Sequence, residues 1–262
     1  MGDEMLVSIH IPKTAGTTIG YILDYGVKRR ILYDYMGPNG YRGQIYDEDV
    51  KLLNQHKEFI TKKFDVIHGH FHYKKYAQIF PEANYIVCLR KPVARTVSQY
   101  FHIIEEADPN HWLYDDLVSG KMDFIDFVSL NHIRRAQSIF IEGRDIMDYK
   151  HVFLTEKLQE SIYYFQLLTG FERNDPYMTL EGKDSIPNTN PRSARRRKLV
   201  LPELKDIYKN FSFRKKSPDR KDFSITPTEI EKAEQLLHEE NELYQRAEEK
   251  FSQLAKLANR IS

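Results

Sequence analysis

One cysteine, Cys88, among 262 residues leaves no intrachain disulfide to draw, and a chain without disulfides suits a reducing compartment. No apolar run approaches the roughly 18 residues that a membrane span needs. Charge of one sign does not dominate either. The 39 Lys and Arg against 38 Asp and Glu give a formal net charge of +1, which argues against nucleic-acid binding over the whole surface. Positive charge is also missing where a signal peptide would carry it, since Met1 to His10 holds Asp3 and Glu4 instead. Internal repeats and low-complexity tracts are absent, and glycine, at 12 residues, is too scarce for a fibrous repeat. These absences leave an ordinary globular protein, expected in the cytoplasm or as a soluble piece of something longer.

What is there suffices for a large core. Hydrophobic residues make up 41% of the chain, with 17 Tyr and 15 Phe among them. The length fits one large α/β domain, or one domain with a helical appendage. Short apolar segments predict strands over Met5 to His10, Asp65 to Ile67, Asn84 to Leu89 and His151 to Leu154. The clearest is Asn84 to Leu89, uncharged and bounded by Pro81 and Arg90. Helical patterns fall between them: about Thr17 to Lys28, with Ile19, Ile22 and Leu23 inward; Asp47 to Phe59; one starting at Pro92; and about Lys157 to Thr169. Tyr33 to Tyr46, rich in Gly, Pro, Asn and Tyr, reads as a loop.

Strands alternating with helices imply right-handed crossovers and a parallel sheet. The expected fold is therefore α/β: a P-loop-like three-layer sandwich with a central parallel sheet flanked by helices, plus a long C-terminal helix. Residues 1–225 would form the domain proper. Over 226–262, Thr226, Pro227 and Glu229 make an N-cap, a first-turn proline and a capping box. The helix they open carries a near-heptad apolar stripe interrupted by Glu240. It either packs on its own domain or pairs with a second copy of the chain, leaving a homo-oligomer open.

Ligands on parallel sheets sit beyond the carboxyl ends of the strands. The rule selects three segments. The first, His10-Ile-Pro-Lys13-Thr14-Ala15-Gly16-Thr17-Thr18, runs from a strand through a turn into a helix. Converging backbone N–H groups, the helix dipole, a lysine and three threonines would make an anion cradle. It is not the nucleotide-triphosphate P-loop, because its lysine precedes its glycine. The plain alternative is a strand-to-helix turn with an exposed lysine. The second segment places Arg90 at a strand end and Ser98 eight residues later in the following helix, a planar fork of donors and a hydroxyl suited to a terminal phosphate. An arginine closing a sheet end and a solvent-facing serine are the alternative.

Together these two segments resemble the 5'-phosphosulfate and 3'-phosphate motifs of sulfotransferases that use 3'-phosphoadenosine-5'-phosphosulfate (PAPS). The Pro-Lys-Thr-Ala-Gly-Thr-Thr wording is similar to carbohydrate sulfotransferases related to the heparan sulfate 2-O- and 6-O-enzymes, in a soluble, bacterial-like form. The likeness is clearest from Ser8 to Tyr100 and continues faintly through Val152 to Glu156.

The third segment, His68-Gly69-His70-Phe71-His72, carries three histidines without a nearby Cys or carboxylate to complete a zinc set. The resemblance implies that His70 is the catalytic base, as in the His-Gly-His of 2-O-sulfotransferases, with His68 its neighbour. His72 has no counterpart. It further implies that Lys13 to Thr18 hold the phosphosulfate, that Arg90 and Ser98 hold the 3'-phosphate, and that a late polar loop with Asn190 and Ser193 closes over the nucleotide. The basic run there, twelve Lys or Arg from Arg192 to Lys221 against three Asp or Glu, suits either donor or an anionic acceptor.

The expected activity is sulfuryl transfer from PAPS to an acceptor hydroxyl, on a glycan, glycolipid or secondary metabolite, leaving 3'-phosphoadenosine-5'-phosphate. No metal is expected, because a sulfuryl group carries less negative charge than a phosphoryl group. Two other readings share these residues: a P-loop-type kinase needing magnesium, and a non-catalytic nucleotide-binding interaction protein.

Overall fold

A computed structural model describes residues 5–26, 30–35, 47–106, 111–170 and 224–261. Five short strands form one wholly parallel sheet: β1 Leu6–Ile9, β2 Ile31–Asp34, β3 Val66–Gly69, β4 Asn84–Leu89 and β5 His151–Leu154. Their order is β2-β3-β1-β4-β5, with Leu6 beside both Val66 and Asn84, so β1 is the central strand. Both faces of a parallel sheet must be covered, and β1, β3 and β5 are buried along their whole length.

Each strand divides its side chains between two helical layers. Val7, Ile9, Ile67, Tyr85, Val87, Val152 and Leu154 join one apolar cluster. Opposite them it holds residues of α3 (Lys57–Lys63), α4 (Tyr73–Ala77), α9 (Ser138–Ile141) and α12 (His238–Ala258). The other face meets α1 (Gly16–Gly26) and α10 (Leu158–Thr169): His68 lies against Gly20, and the rings of Phe153 and Phe165 are 5.2 Å apart. This is the three-layer α/β sandwich the pattern predicted. The other helices are α2 (Asp47–Gln55), α5 (Pro92–Glu106), α6 (Tyr114–Ser119), α7 (Phe124–Ser129), α8 (Asn131–Arg134) and α11 (Pro227–Leu236). No helix among the described residues is long and apolar enough to cross a membrane.

The structure differs from the sequence reading in three places. Within the predicted loop that begins at Tyr33, residues Tyr33 and Asp34 belong to β2, an edge strand paired with β3 from Ile31 against Val66 to Asp34 against Gly69. It was hidden because only four residues take part and one of them, Tyr33, is exposed, so no alternation stands out. Asp47 to Phe59 is two helices, α2 and α3, divided at His56. The C-terminal helix is likewise divided at Leu237, whose ψ of 20° departs from helical geometry.

At the start of α11, Thr226 and Glu229 form the reciprocal capping box, with Pro227 in the first turn. The apolar stripe of α12 faces its own sheet. Tyr244, Ala247 and Phe251 are buried in the sheet cluster, and Phe251 meets the Tyr164 ring at 5.5 Å. Residues 1–172 and 225–262 form one compact unit, so α11 and α12 belong with the sheet.

Candidate active site

The strand order fixes where a ligand would enter. From β1 the chain turns toward β2, and from β4 toward β5 on the other side. The connections diverge between neighbouring strands β1 and β4, the place where parallel sheets form a ligand crevice beyond the carboxyl ends of their strands. The two predicted anion motifs leave the sheet at those two ends.

After β1 the chain makes a tight turn before α1. Lys13 and Ala15 both adopt left-handed backbone angles, φ 70° and 63°, which cost non-glycine residues about 1–3 kcal/mol each. Such conformations persist only where neighbours enforce them, and they aim successive backbone N–H groups into an anion-binding concavity. Here the enforcement is visible. Thr14 is fully buried and its hydroxyl donates to the Ile11 carbonyl at 2.9 Å, while the His10 N–H donates to Gly69 O at 2.8 Å. Thr14 thus shapes the turn with its side chain. Lys13, Ala15 and Thr18 are half-buried and Thr17 is exposed. The turn geometry is of the kind that suits an anionic group.

Arg90 directly follows β4, and its Nη1 donates to the Lys13 carbonyl at 3.2 Å, tying the second motif to the first. Burial pulls the Arg90 pKa down, with Glu156 opposing. Its backbone is also held: the N–H donates to Gln137 Oε1 and the carbonyl accepts from Gln137 Nε2, both at 2.9 Å. Ser98 is half-buried within α5, as the spacing predicted.

The histidines gather on the other side of the turn. His10 stacks on His68, centroids 5.4 Å apart, and lies 4.2 Å from His70. His70 Nδ1 donates to the His10 carbonyl at 2.6 Å, so in the neutral ring Nε2 carries the lone pair. Burial lowers the His70 pKa, and the His10 carbonyl partly offsets this. The lowered pKa favours the neutral ring, and the bond to the His10 carbonyl keeps its proton on Nδ1. His68 Nδ1 pairs with Ser8 Oγ at 2.9 Å, and burial followed by the charge of His70 lowers its pKa to about 4. His10 falls well below its ordinary value through burial, then through His70, His68 and Lys13.

Two glycines permit this packing. A Cβ on Gly16 would lie 1.7 Å from the His10 ring, and one on Gly69 would lie 1.8 Å from the Asp34 carbonyl. The glycine of His-Gly-His thus lets β2 close on β3 and carry Tyr35 to the histidines. Tyr35 Oη is 2.9 Å from His10 Nδ1, and its ring stands edge-on to His70 at 4.9 Å.

His72 lies apart, its ring against Phe140 at 4.9 Å, and burial first of all takes its pKa to about 4. Among the described residues no group of three His, Cys, Asp or Glu could hold a metal ion. Asn190, Ser193 and the basic run from Arg192 to Lys221 lie outside the described residues.

Sequence reasoning gave no role to His10, Tyr35, Gln137 or Glu240. His10 opened the first motif, and Glu240 stood out as the interruption of the apolar stripe. Tyr35 and Gln137 are distant in sequence from the motifs, and nothing local marked them.

A comparison with protein families matches residues 2–247 to the Sulfotransferase family. The chain is a member of that family. Its sheet, its turn and its paired strand ends therefore belong to a transferase of sulfuryl groups, and the kinase alternative gives way. No curated protein matches the chain. Sulfotransfer requires a sulfuryl donor and a hydroxyl acceptor, and beyond the carboxyl ends of β1 and β4 the structure brings Arg90 and His70 to the same turn.

Proposed function

We propose that this sulfotransferase takes its sulfuryl group from PAPS and passes it to a carbohydrate hydroxyl, on a glycan, glycolipid or secondary metabolite, with His70 as general base. One observation carries the reading. The single turn after β1 accepts a hydrogen bond from His70 through its His10 carbonyl and from Arg90 through its Lys13 carbonyl. A base and an anion-binding arginine are thereby fixed to the same few atoms of backbone.

The donor supplies an activated sulfuryl group whose transfer resembles phosphoryl transfer, in line and with charge growing on the leaving oxygen. The backbone of Lys13, Thr14, Ala15, Gly16, Thr17 and Thr18 holds the phosphosulfate end. The Lys13 ammonium offsets the growing charge. Arg90 and Ser98 grip the 3'-phosphate, which distinguishes this donor from ATP. His70 Nε2 takes the acceptor proton, its ring orientation fixed through Nδ1. His68, held by Ser8, keeps the stacked rings in register. The carbohydrate acceptor rests on the His-Gly-His resemblance.

Calorimetric titration with 3'-phosphoadenosine-5'-phosphate beside ADP, without magnesium, tests the donor. Micromolar binding of the bisphosphate with little response to ADP is expected. Equal affinity for both, or binding only of ADP with magnesium, would overturn the PAPS assignment.

A further inference from the structure

The backbone that carries Arg90 is held by side chains that lead away from the crevice to the C-terminal helix. Gln137, fully buried, brackets Arg90 with two hydrogen bonds at 2.9 Å. Its own N–H donates to Glu240 Oε2 at 3.0 Å, and the next N–H, Ser138, donates to Glu240 Oε1 at 2.8 Å. Glu240 is 1% exposed and sits in the first turn of α12.

A second connection runs parallel to the first. The N–H of Lys91 donates to Glu156 Oε1 at 2.9 Å, and Tyr244 Oη donates to Glu156 Oε2 at 2.7 Å. Tyr244 follows Glu240 by one helical turn on the same face of α12. Two successive residues of the β4–α5 turn are thus tied to two successive turns of one helix.

A buried carboxylate is costly unless its oxygens are satisfied, and an apolar residue would fill the stripe of α12 at less cost. Glu240 is satisfied by two backbone donors, and buried Arg95 lies near enough for each charge to support the other. The arrangement makes sense if it fixes a position rather than adding cohesion.

We propose that α12 is the positioning element for Arg90, Glu240 acting through Gln137 and Tyr244 through Glu156, so that affinity for the donor's 3'-phosphate depends on the C-terminal helix. The proposal rests on the reading that Arg90 grips that phosphate. None of these four residues touches the donor; they act through the arginine.

The test uses the full chain with Glu240→Gln, Tyr244→Phe and Arg90→Ala, each checked for folding by thermal melting. Dissociation constants are measured for 3'-phosphoadenosine-5'-phosphate and for AMP, which lacks the 3'-phosphate. Glu240→Gln and Tyr244→Phe should each weaken bisphosphate binding about five- to tenfold and leave AMP binding within about twofold. In the Arg90→Ala background the same substitutions should add little. Should Glu240→Gln fail to fold, Tyr244→Phe decides, because it removes one hydroxyl and keeps the ring. A folded Tyr244→Phe that binds bisphosphate as tightly as the parent overturns the positioning role. So does an equal loss for both nucleotides, or a loss that persists without Arg90. Arg90→Ala with unchanged bisphosphate affinity is the separate outcome that sinks the donor reading, and the positioning role with it.

Discussion

Replacing Gly16 with alanine should show how tightly the turn and the histidine stack are joined. A Cβ at this position would stand 1.7 Å from His10 Cδ2 and 2.1 Å from Nε2, about half an ordinary carbon contact. His10 cannot absorb this with a small rotation, because Tyr35 holds Nδ1 at 2.9 Å and the His68 ring stacks 5.4 Å away. Overpacking of this kind costs about 1–3 kcal/mol. Losing the partly buried bond to Tyr35 adds about 1 kcal/mol, so Gly16→Ala should destabilise by about 2–4 kcal/mol. Turnover should fall as well, because the His10 carbonyl that orients His70 moves with its residue. In a His10→Ala background the collision partner is gone, and the same substitution should be close to neutral. Urea denaturation of the four proteins of this cycle gives a coupling energy, expected near 2–4 kcal/mol. An equal cost of Gly16→Ala in both backgrounds would refute the reasoning, since the damage would then lie in the backbone and not in the ring.

His70→Ala should abolish transfer while sparing nucleotide binding; full activity in that variant would remove His70 from the role of base. With His70 as the proposed base the neutral form is the one that acts, and its pKa is lowered, so the acid limb of kcat/KM should lie below pH 6.5; a limb at or above that value would contradict the base role. Stability should fall over the same range. His68 titrates near 4 when folded against 6.5 when unfolded, so the contribution of its neutral burial is whole above pH 6.5 and is lost as pH falls through about 4. For this residue alone the loss amounts to about 3 kcal/mol at most, read as a falling Tm that His68→Gln should flatten. Arg90→Ala should weaken bisphosphate binding by about 1.5–3 kcal/mol, and Lys13→Ala should lower kcat more than affinity; calorimetry and steady-state rates separate the two.

The sheet was largely legible because its strands are short uncharged runs between turn signals. Asn84 to Leu89 could hardly be read otherwise, and the residues that follow such strands are the ones a parallel sheet offers to a ligand. Position in the chain therefore picked out the three segments after β1, β3 and β4, while the choice of His70 among the histidines came from the family resemblance. The environment of each was not legible. That His70 donates to a carbonyl 60 residues earlier, and that Tyr35 directly follows an edge strand four residues long, are consequences of strand order, which spacing alone does not give. Local pattern reports what a residue is. Only topology reports what it faces.

Glu240 shows where that difference matters most. In the sequence it is a flaw in an apolar stripe, and a stripe with one charged gap suggests a helix that tolerates a polar residue at its rim. In the fold it is among the most buried carboxylates, at 1% exposure, with both oxygens taken by the N–H groups of Gln137 and Ser138. An interruption of this kind can be read in two ways, as a surface position or as a buried group whose partners lie elsewhere in the chain. The choice turns on whether donors exist to satisfy it, because an unsatisfied buried carboxylate would cost several kcal/mol. The donors here are backbone amides at the start of α9, which no side-chain motif announces. The same logic applies to Thr14, whose hydroxyl seemed available for a ligand and instead closes the turn on Ile11. A polar residue that seems misplaced in a pattern is therefore worth following inward to the backbone it satisfies, and in this protein that path leads to Arg90.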